Sequence, residues 1–387
     1  MLLPTSASSW TVDAVRNLGM ADTPERVAAF ERFAATPAPT AQQEIWRYSR
    51  IGELRLDVYR NGTLSTTVSG AESMQVDDAS ISSTHEPAEL DLFAELNRAF
   101  MAPIRLRVPR GTVVEQPIVI THTLVDDGVA CFPRLVIEAE ADSEVTVIEL
   151  FVSDESVAGL IVPVLQVRAD QAARLKYLSV NELGSRVWQI ANQQAVGERD
   201  SSTLLSSVAL GGDYARVRTH ARLIGQGGST RQVALYFADG HQTHDFRTTQ
   251  EHVAPKTTSD LLFKGAVNDV ACSVYTGLIK IGPDARGAQA FQTNRNLTLS
   301  NGARAESVPN LEIETNDVKC SHASTVGPID EDQRFYLESR GIQPDIAERL
   351  VVLGFFDEVL AQLPVGSHAA ELRARISAKL HQAVVPV

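Results

Sequence analysis

From Ile104 to about residue 320 apolar and polar residues alternate with a period of two, and no helical pattern of useful length interrupts them. Leu135, Ile137 and Ala139 alternate with Arg134, Val136, Glu138 and Glu140, and Leu165, Val167 and Ala169 repeat the pattern. Over Arg216 to Leu223 it is clearest. Val217, Thr219, Ala221 and Leu223 share one side of an extended chain, and Arg216, Arg218, His220 and Arg222 the other. Gly211-Gly212-Asp213, Gly225-Gln226-Gly227-Gly228 and Asn301-Gly302 punctuate the run as turns. Doubly wound folds and (β/α)₈ barrels need helices between strands, so both fit poorly. A sandwich, a barrel or a coil of stacked parallel strands remains. The span is long for one sandwich, whereas a coil absorbs length by adding turns. No clean repeat period shows, so spacing alone leaves this choice open.

The flanks read differently. Thr23-Pro24-Glu25 predicts a helix start with Pro24 in the first turn, and Pro37 and Pro39 close that helix. Trp46 and Tyr48, in Glu44-Ile45-Trp46-Arg47-Tyr48, are candidates to anchor this region on a neighbouring sheet. Residues 61–86 read as loops with weak strands, and Leu90 to Met101 as a short helix. After His322 the pattern becomes helical. Asp330 with Gln333 predicts a capped helix start, Gly341 a C-terminal cap and Pro344 the next helix. Ile346, Leu350, Leu353, Phe356, Leu360 and Leu363 are spaced as one apolar stripe, and Leu372, Ile376 and Leu380 as another.

Composition excludes several classes. A formal net charge of −13 argues against a general nucleic-acid binder. Apolar runs fall far short of eighteen residues, so no membrane span is expected. The N-terminus lacks a basic stretch followed by an apolar one, which argues against a secretory signal. Three widely spaced cysteines make no disulfide framework, and a reducing cytoplasm is the expected location.

Motifs for chemistry are sparse. Neither GxxxxGK[ST] nor GxGxxG occurs. Cys131 and Cys272 read as small buried hydrophobes. His241, His244 and His252 would bind zinc or iron only if their loop folded back. The close Cys/His pair is Cys320 and His322, within Asn310 to His322. Leu311 and Ile313 alternate there with Glu312 and Glu314, Asn316-Asp317 make a turn, and Cys320 and His322 then share one side. An imidazole within reach lowers a thiol pKa, and the pair has ligand types suited to iron. Core packing is the alternative.

Several segments resemble the SufB/SufD family of iron–sulfur cluster assembly proteins. They are Pro309-Asn310-Leu311-Glu312-Ile313, Asp317-Val318-Lys319-Cys320-Ser321-His322, Thr325-Val326-Gly327 and Phe335-Tyr336-Leu337-Glu338-Ser339-Arg340-Gly341-Ile342. Gln292, Asn294, Asn296-Leu297, Phe263-Lys264-Gly265 and the early Trp46-Arg47-Tyr48 fit the same pattern. His322-Ala323-Ser324-Thr325 stands where the family usually has His-Gly-Ala-Thr. Length and scarcity of cysteine resemble the SufD branch.

The resemblance implies a mainly β protein: a right-handed parallel β-helix core (104–325) between an N-terminal helical region (1–103) and a C-terminal helical domain (326–387). It implies a scaffold subunit of a SufB–SufC–SufD complex, not an enzyme by itself, which assists iron entry and cluster building. No cofactor is expected to bind the lone chain stably, whereas iron or a nascent cluster would pass through the complex. SufB would meet the β-helix at a site holding His322 and Cys320. SufC, an ATPase, would bind the helical domain through Ile346, Leu350, Leu353, Phe355 and Phe356. The lone chain could also pair with itself. Two rival classes are a β-helical polysaccharide-active enzyme, with charged side chains clustered along a groove, and an inert structural dimer.

Overall fold

The computed structural model describes residues 9–71, 75–77, 91–365 and 369–384. The protein is mainly β: a parallel solenoid of about eight turns with a few helices. Successive strands fall alternately into two sheets, and each strand pairs in parallel with its counterpart one turn later. In one sheet Tyr214–Leu223, Thr243–His252, Cys272–Ile281 and Arg304–Ile313 follow in order. In the other, Ser229–Ala238, Thr258–Val267, Ala288–Thr298 and Val318–Gly327 do so. One turn takes 29 residues from Tyr214 to Thr243, 26 from Trp188 to Tyr214 and 32 from Cys272 to Arg304. That spread, taken up in the corners, hides the repeat from a fixed-period reading.

Side chains alternate between the lumen and the outside. Val217, Ala221 and Leu223 point inward, as their spacing predicts, and are buried. The early turns fill the lumen with Leu135, Ile137, Val145, Val147, Leu165 and Leu175. Antiparallel strands finish that end: Ser65–Ser69 pairs with Ile118–Leu124, and Gln75–Asp77 with Ala102–Val108.

Three helices gather at the early turns: α1 (Val12–Arg16), α2 (Thr23–Ala35) and α3 (Leu92–Phe100). Trp10, Phe30, Phe33, Phe93, Phe100 and Phe132 share their core. Between α2 and α3 the chain runs across the outside of the first sheet. There Trp46 is buried and lies 3.9 Å beneath the Arg216 guanidinium, while Tyr48 is exposed. Arg216 donates to Ile45 O at 2.7 Å and to Asp245 at 2.6 Å. Arg247 donates to Asp245 and to Arg47 O. Burial pushes the Asp245 carboxyl up, but the two guanidinium groups outweigh it and hold the carboxyl below its ordinary value.

Beyond the last strand come α4 (Glu331–Ser339), α5 (Pro344–Leu360) and α6 (Ala369–Val384). Asp330 caps α4 by accepting from the backbone N–H groups of Asp332 and Gln333. Gly341 adopts φ +84, the left-handed conformation a helix stop favours. Helices α5 and α6 lie along the outer face of the second sheet. Val352, Phe356, Val359, Ile376 and Leu380 pack there with Val208, Val233, Leu235 and Phe237. Two lysines fix them. Lys264, from the sheet, donates to Phe355 O at 2.8 Å and pairs with Glu358 at 2.7 Å. Lys379, from α6, donates to Leu210 O and to Gln242 Oε1.

Candidate functional site

Each sheet ends at a strand with one neighbour: Arg304–Ile313 in the first and Val318–Gly327 in the second. Together they form the last turn, and their outer edges carry unpaired backbone groups, a template for another chain. Val318, Cys320, His322, Ser324 and Val326 continue the inward rows of Ala288, Ala290, Gln292, Asn294 and Asn296. Residues 288 to 296 of that row are buried, but no turn covers the next row, so His322, Ser324 and Val326 are exposed. Leu311 and Ile313, the apolar face of their strand, are exposed for the same reason. Ser324 donates to Ser307 at 2.7 Å and Ser307 to Asn294 at 2.8 Å, which closes the end across the lumen.

Cys320 and His322 therefore stand on one side of a terminal strand, at Cα positions roughly 7 Å apart. Cys320 is half-buried against Ile279, Ile281, Ala288 and Ala290, and burial pushes its thiol up. Among the described residues no hydrogen bond joins it to His322, so in this chain by itself the thiol is not activated as a nucleophile. What the pair offers is two potential ligands, a sulfur and an imidazole, at an open edge. Among the described residues no three His, Cys, Asp or Glu side chains are placed to hold a metal, so further ligands would have to come from outside.

The other histidines do not meet. His241 is exposed in a corner, and its carbonyl accepts from Arg50. His244 points into the lumen, shares a hydrogen bond with Gly211 O, and is pushed down to about 3, mainly by burial. His252 lies between Thr257 and Ser259, also buried, and is pushed down to about 4. Both rings are neutral near pH 7, with His252 eight positions beyond His244 along one strand. Cys131 is buried as expected and pushed up to about 12 by desolvation. Cys272 is only half-buried, because it begins its strand.

The C-terminal helices divide the expected contact residues. Phe356 is fully buried on the solenoid and has no surface to offer a partner. Leu353 and Phe355 are half-buried, with Phe355 beside Lys264. Ile346 and Leu350 are exposed, and so are Phe335 at 70% and Tyr336 at 57% on α4. The stripe read from spacing thus mixes two faces of α5. Its buried face runs through Val352, Phe356 and Val359.

A groove of about 970 Å³ also runs along the outside of the first sheet. Several of its charges are paired. Glu251 lies 3.1 Å from Arg222 and 2.9 Å from His220, Lys280 is 3.7 Å from Glu312, and Arg218 is 3.8 Å from Asp91.

A family model described as "SUF system FeS cluster assembly, SufBD core domain" matches residues 122–355. The chain belongs to the SufBD family of iron–sulfur cluster assembly proteins. It is 33% identical over 373 residues to an iron–sulfur cluster assembly SufBD family protein of Mycobacterium tuberculosis, covering 92% of this chain and 91% of the relative. It is 31% identical to the iron–sulfur cluster assembly protein SufD of Bacillus subtilis over 71% of this chain and 63% of that protein. With SufD of Escherichia coli it shares 25% identity over 94% of each chain. The SufBD match spans most of the solenoid, including its open turn, and α4, and it ends inside α5.

Spacing did not reveal every feature that shapes this SufBD chain. Arg216 and Arg247 sit on the polar side of their strands, and the crossing segment covers them, Arg216 against Ile45 and Trp46 and Arg247 at Arg47. Lys264 lies on an outward row that α5 covers. Gln250, Gln292, Asn294 and Asn296 occupy inward positions, a polar row in a place where spacing predicts core.

Proposed function

We infer that this chain is a SufD-like scaffold subunit in iron–sulfur cluster assembly, without ATPase activity or turnover of its own. The observation that carries the reading is the uncovered last turn, where two unpaired edges flank an exposed His322 and a half-buried Cys320. A solenoid with the same kind of edge could continue both sheets, as SufB would. His322 and Cys320 would then meet ligands from the partner, and iron or a nascent cluster would be cargo held between the chains. A right-handed coil and the division into a solenoid with two helical flanks belong to the same reading, as does a cytoplasmic setting. Among the described residues no helix is long and apolar enough to cross a membrane.

In this reading SufC binds α4 and the exposed side of α5, through Phe335, Tyr336, Ile346 and Leu350. Leu353 and Phe355 lie at the rim, and Phe356 holds α5 in place. Truncating a central apolar contact costs about 2 kcal/mol or more. Light scattering and affinity measurements with purified SufB and SufC test the assignment. Leu350→Asp should weaken SufC binding at least tenfold and leave SufB pairing intact, whereas unchanged SufC affinity would remove α5 from the interface. A lone chain that pairs through its own edges should exchange that contact for SufB.

A further inference from the structure

The lumen of the later turns holds buried amide groups that the protein leaves unpaired. Gln232, Gln250 and Gln292 are 1%, 0% and 2% exposed. Gln292 Nε2 donates to Gln250 Oε1 at 2.8 Å. Gln250 Nε2, Gln292 Oε1 and both amide atoms of Gln232 have no hydrogen-bond partner. An unmade hydrogen bond on a buried polar group costs about 1–3 kcal/mol, so four such atoms in one stretch of core need a ligand.

The register sets how far apart these groups lie. Gln232 pairs with Leu261, and Leu261 with Gln292, so the two glutamines are two strands apart on one inner face. Strands lie about 4.8 Å apart, which separates the two backbones by roughly 10 Å. Gln250 reaches in from the facing sheet, and Leu261 and Ile279 supply apolar walls beside it. The unpaired atoms are two donors and two acceptors, with no charged side chain among them. A cation would leave both Nε2 groups unpaired, and an anion both Oε1 atoms. A molecule that donates and accepts equally, and is small enough for a closed lumen, satisfies all four.

We propose that Gln232, Gln250 and Gln292 form an internal water site, holding one or two ordered water molecules in the solenoid lumen. Buried waters make about three hydrogen bonds each, which these atoms can supply. The site begins one strand below the open end, where Gln292 pairs in register with His322, and reaches Gln232 two strands further in. It is thus part of a polar lumen that begins at the exposed turn and continues inward to Thr219 and Gln193. This inference does not depend on which partner covers that turn.

High-resolution crystallography of the full chain, with oxygen-17 magnetic relaxation dispersion in solution, tests the proposal. The expected result is water density bonded to Gln232 and to the Gln250–Gln292 pair, and a dispersion amplitude that drops by at least one long-lived water in Gln232→Leu. Amides turned directly onto one another, with no density between them, would overturn it. So would an unchanged dispersion amplitude in a folded Gln232→Leu protein. If that variant does not fold, the wild-type density decides.

Discussion

In the early turns the lumen is closed by Leu135, Ile137, Val145, Val147 and Leu175, and among the described residues its buried polar side chains are paired. His122 bonds to Thr66 and Glu149, and Tyr177 donates to Glu149. In the later turns the same inward positions hold Gln232, Gln250, Gln292, Asn294 and Asn296, and Tyr236 bonds to both asparagines. Among the described residues, every buried side-chain polar atom without a partner belongs to residue 189 or beyond. The backbone coil is the same in both halves. One half is therefore filled mainly by aliphatic packing, and the other combines an apolar cluster around Phe246, Phe263 and Tyr275 with a polar network that ends at an uncovered turn. An apolar core needs closing off from water, whereas a polar lumen can stop at an open end at little cost.

Substitutions that exchange the character of the two halves test this contrast. The largest effect is expected from Ile137→Asn, which loses aliphatic burial and strands an amide in the apolar half. Chemical unfolding should show a loss of about 4 kcal/mol or more. Tyr236→Phe comes next. It removes the hydroxyl shared by Asn294 and Asn296 and should cost about 1–3 kcal/mol, with the fold retained. A loss as large as that of Ile137→Asn would mean the later half depends on packing just as heavily.

Acid sharpens the contrast further, because His244 and His252 both lie in the later half. Burial lowers their folded pKa values to about 3 and about 4, beneath the ordinary histidine value. Between those limits the unfolded chain binds more protons. Their contribution is therefore complete above about pH 6.5 and is lost as pH falls toward 4 and then 3. Each ring can steepen the acid limb by at most about 1.4 kcal/mol per pH unit. His252→Gln should flatten the stability profile between pH 6.5 and 4, and an unchanged slope would show that the ring is solvated. The smallest effect is expected for Gln232→Leu, within about 1 kcal/mol of wild type, since it exchanges an amide that bonds only to internal water for an apolar side chain.

Much of this architecture was legible in the sequence, for local reasons. Alternation over Arg216 to Leu223 identified a strand and its inner face, and Pro24, Asp330, Gly341 and Pro344 marked helix ends through backbone rules. Cys320 and His322 were placed on one side by the period of two. Properties set by distant segments were not legible. Turn lengths of 26 to 32 residues concealed the coil. Arg216 reads as a surface residue until Ile45 and Trp46, some 170 positions earlier, cover it. Helix α5 is apolar on two faces, so spacing could not tell Phe356, which faces the sheet, from Leu350, which faces solvent. Exposure of His322 follows from there being no further turn above it among the described residues, a fact no local pattern contains.

The most direct test of the central claim is cluster formation by a complex reconstituted with SufB and SufC, comparing His322→Ala with Cys320→Ala and Cys272→Ala. Complex assembly and ATP hydrolysis are recorded alongside, and cluster yield is read from its visible absorption and bound iron. The account predicts that His322→Ala assembles normally and loses most of its cluster yield, that Cys320→Ala loses less, and that Cys272→Ala matches wild type. Full cluster yield from an intact complex carrying His322→Ala would contradict it.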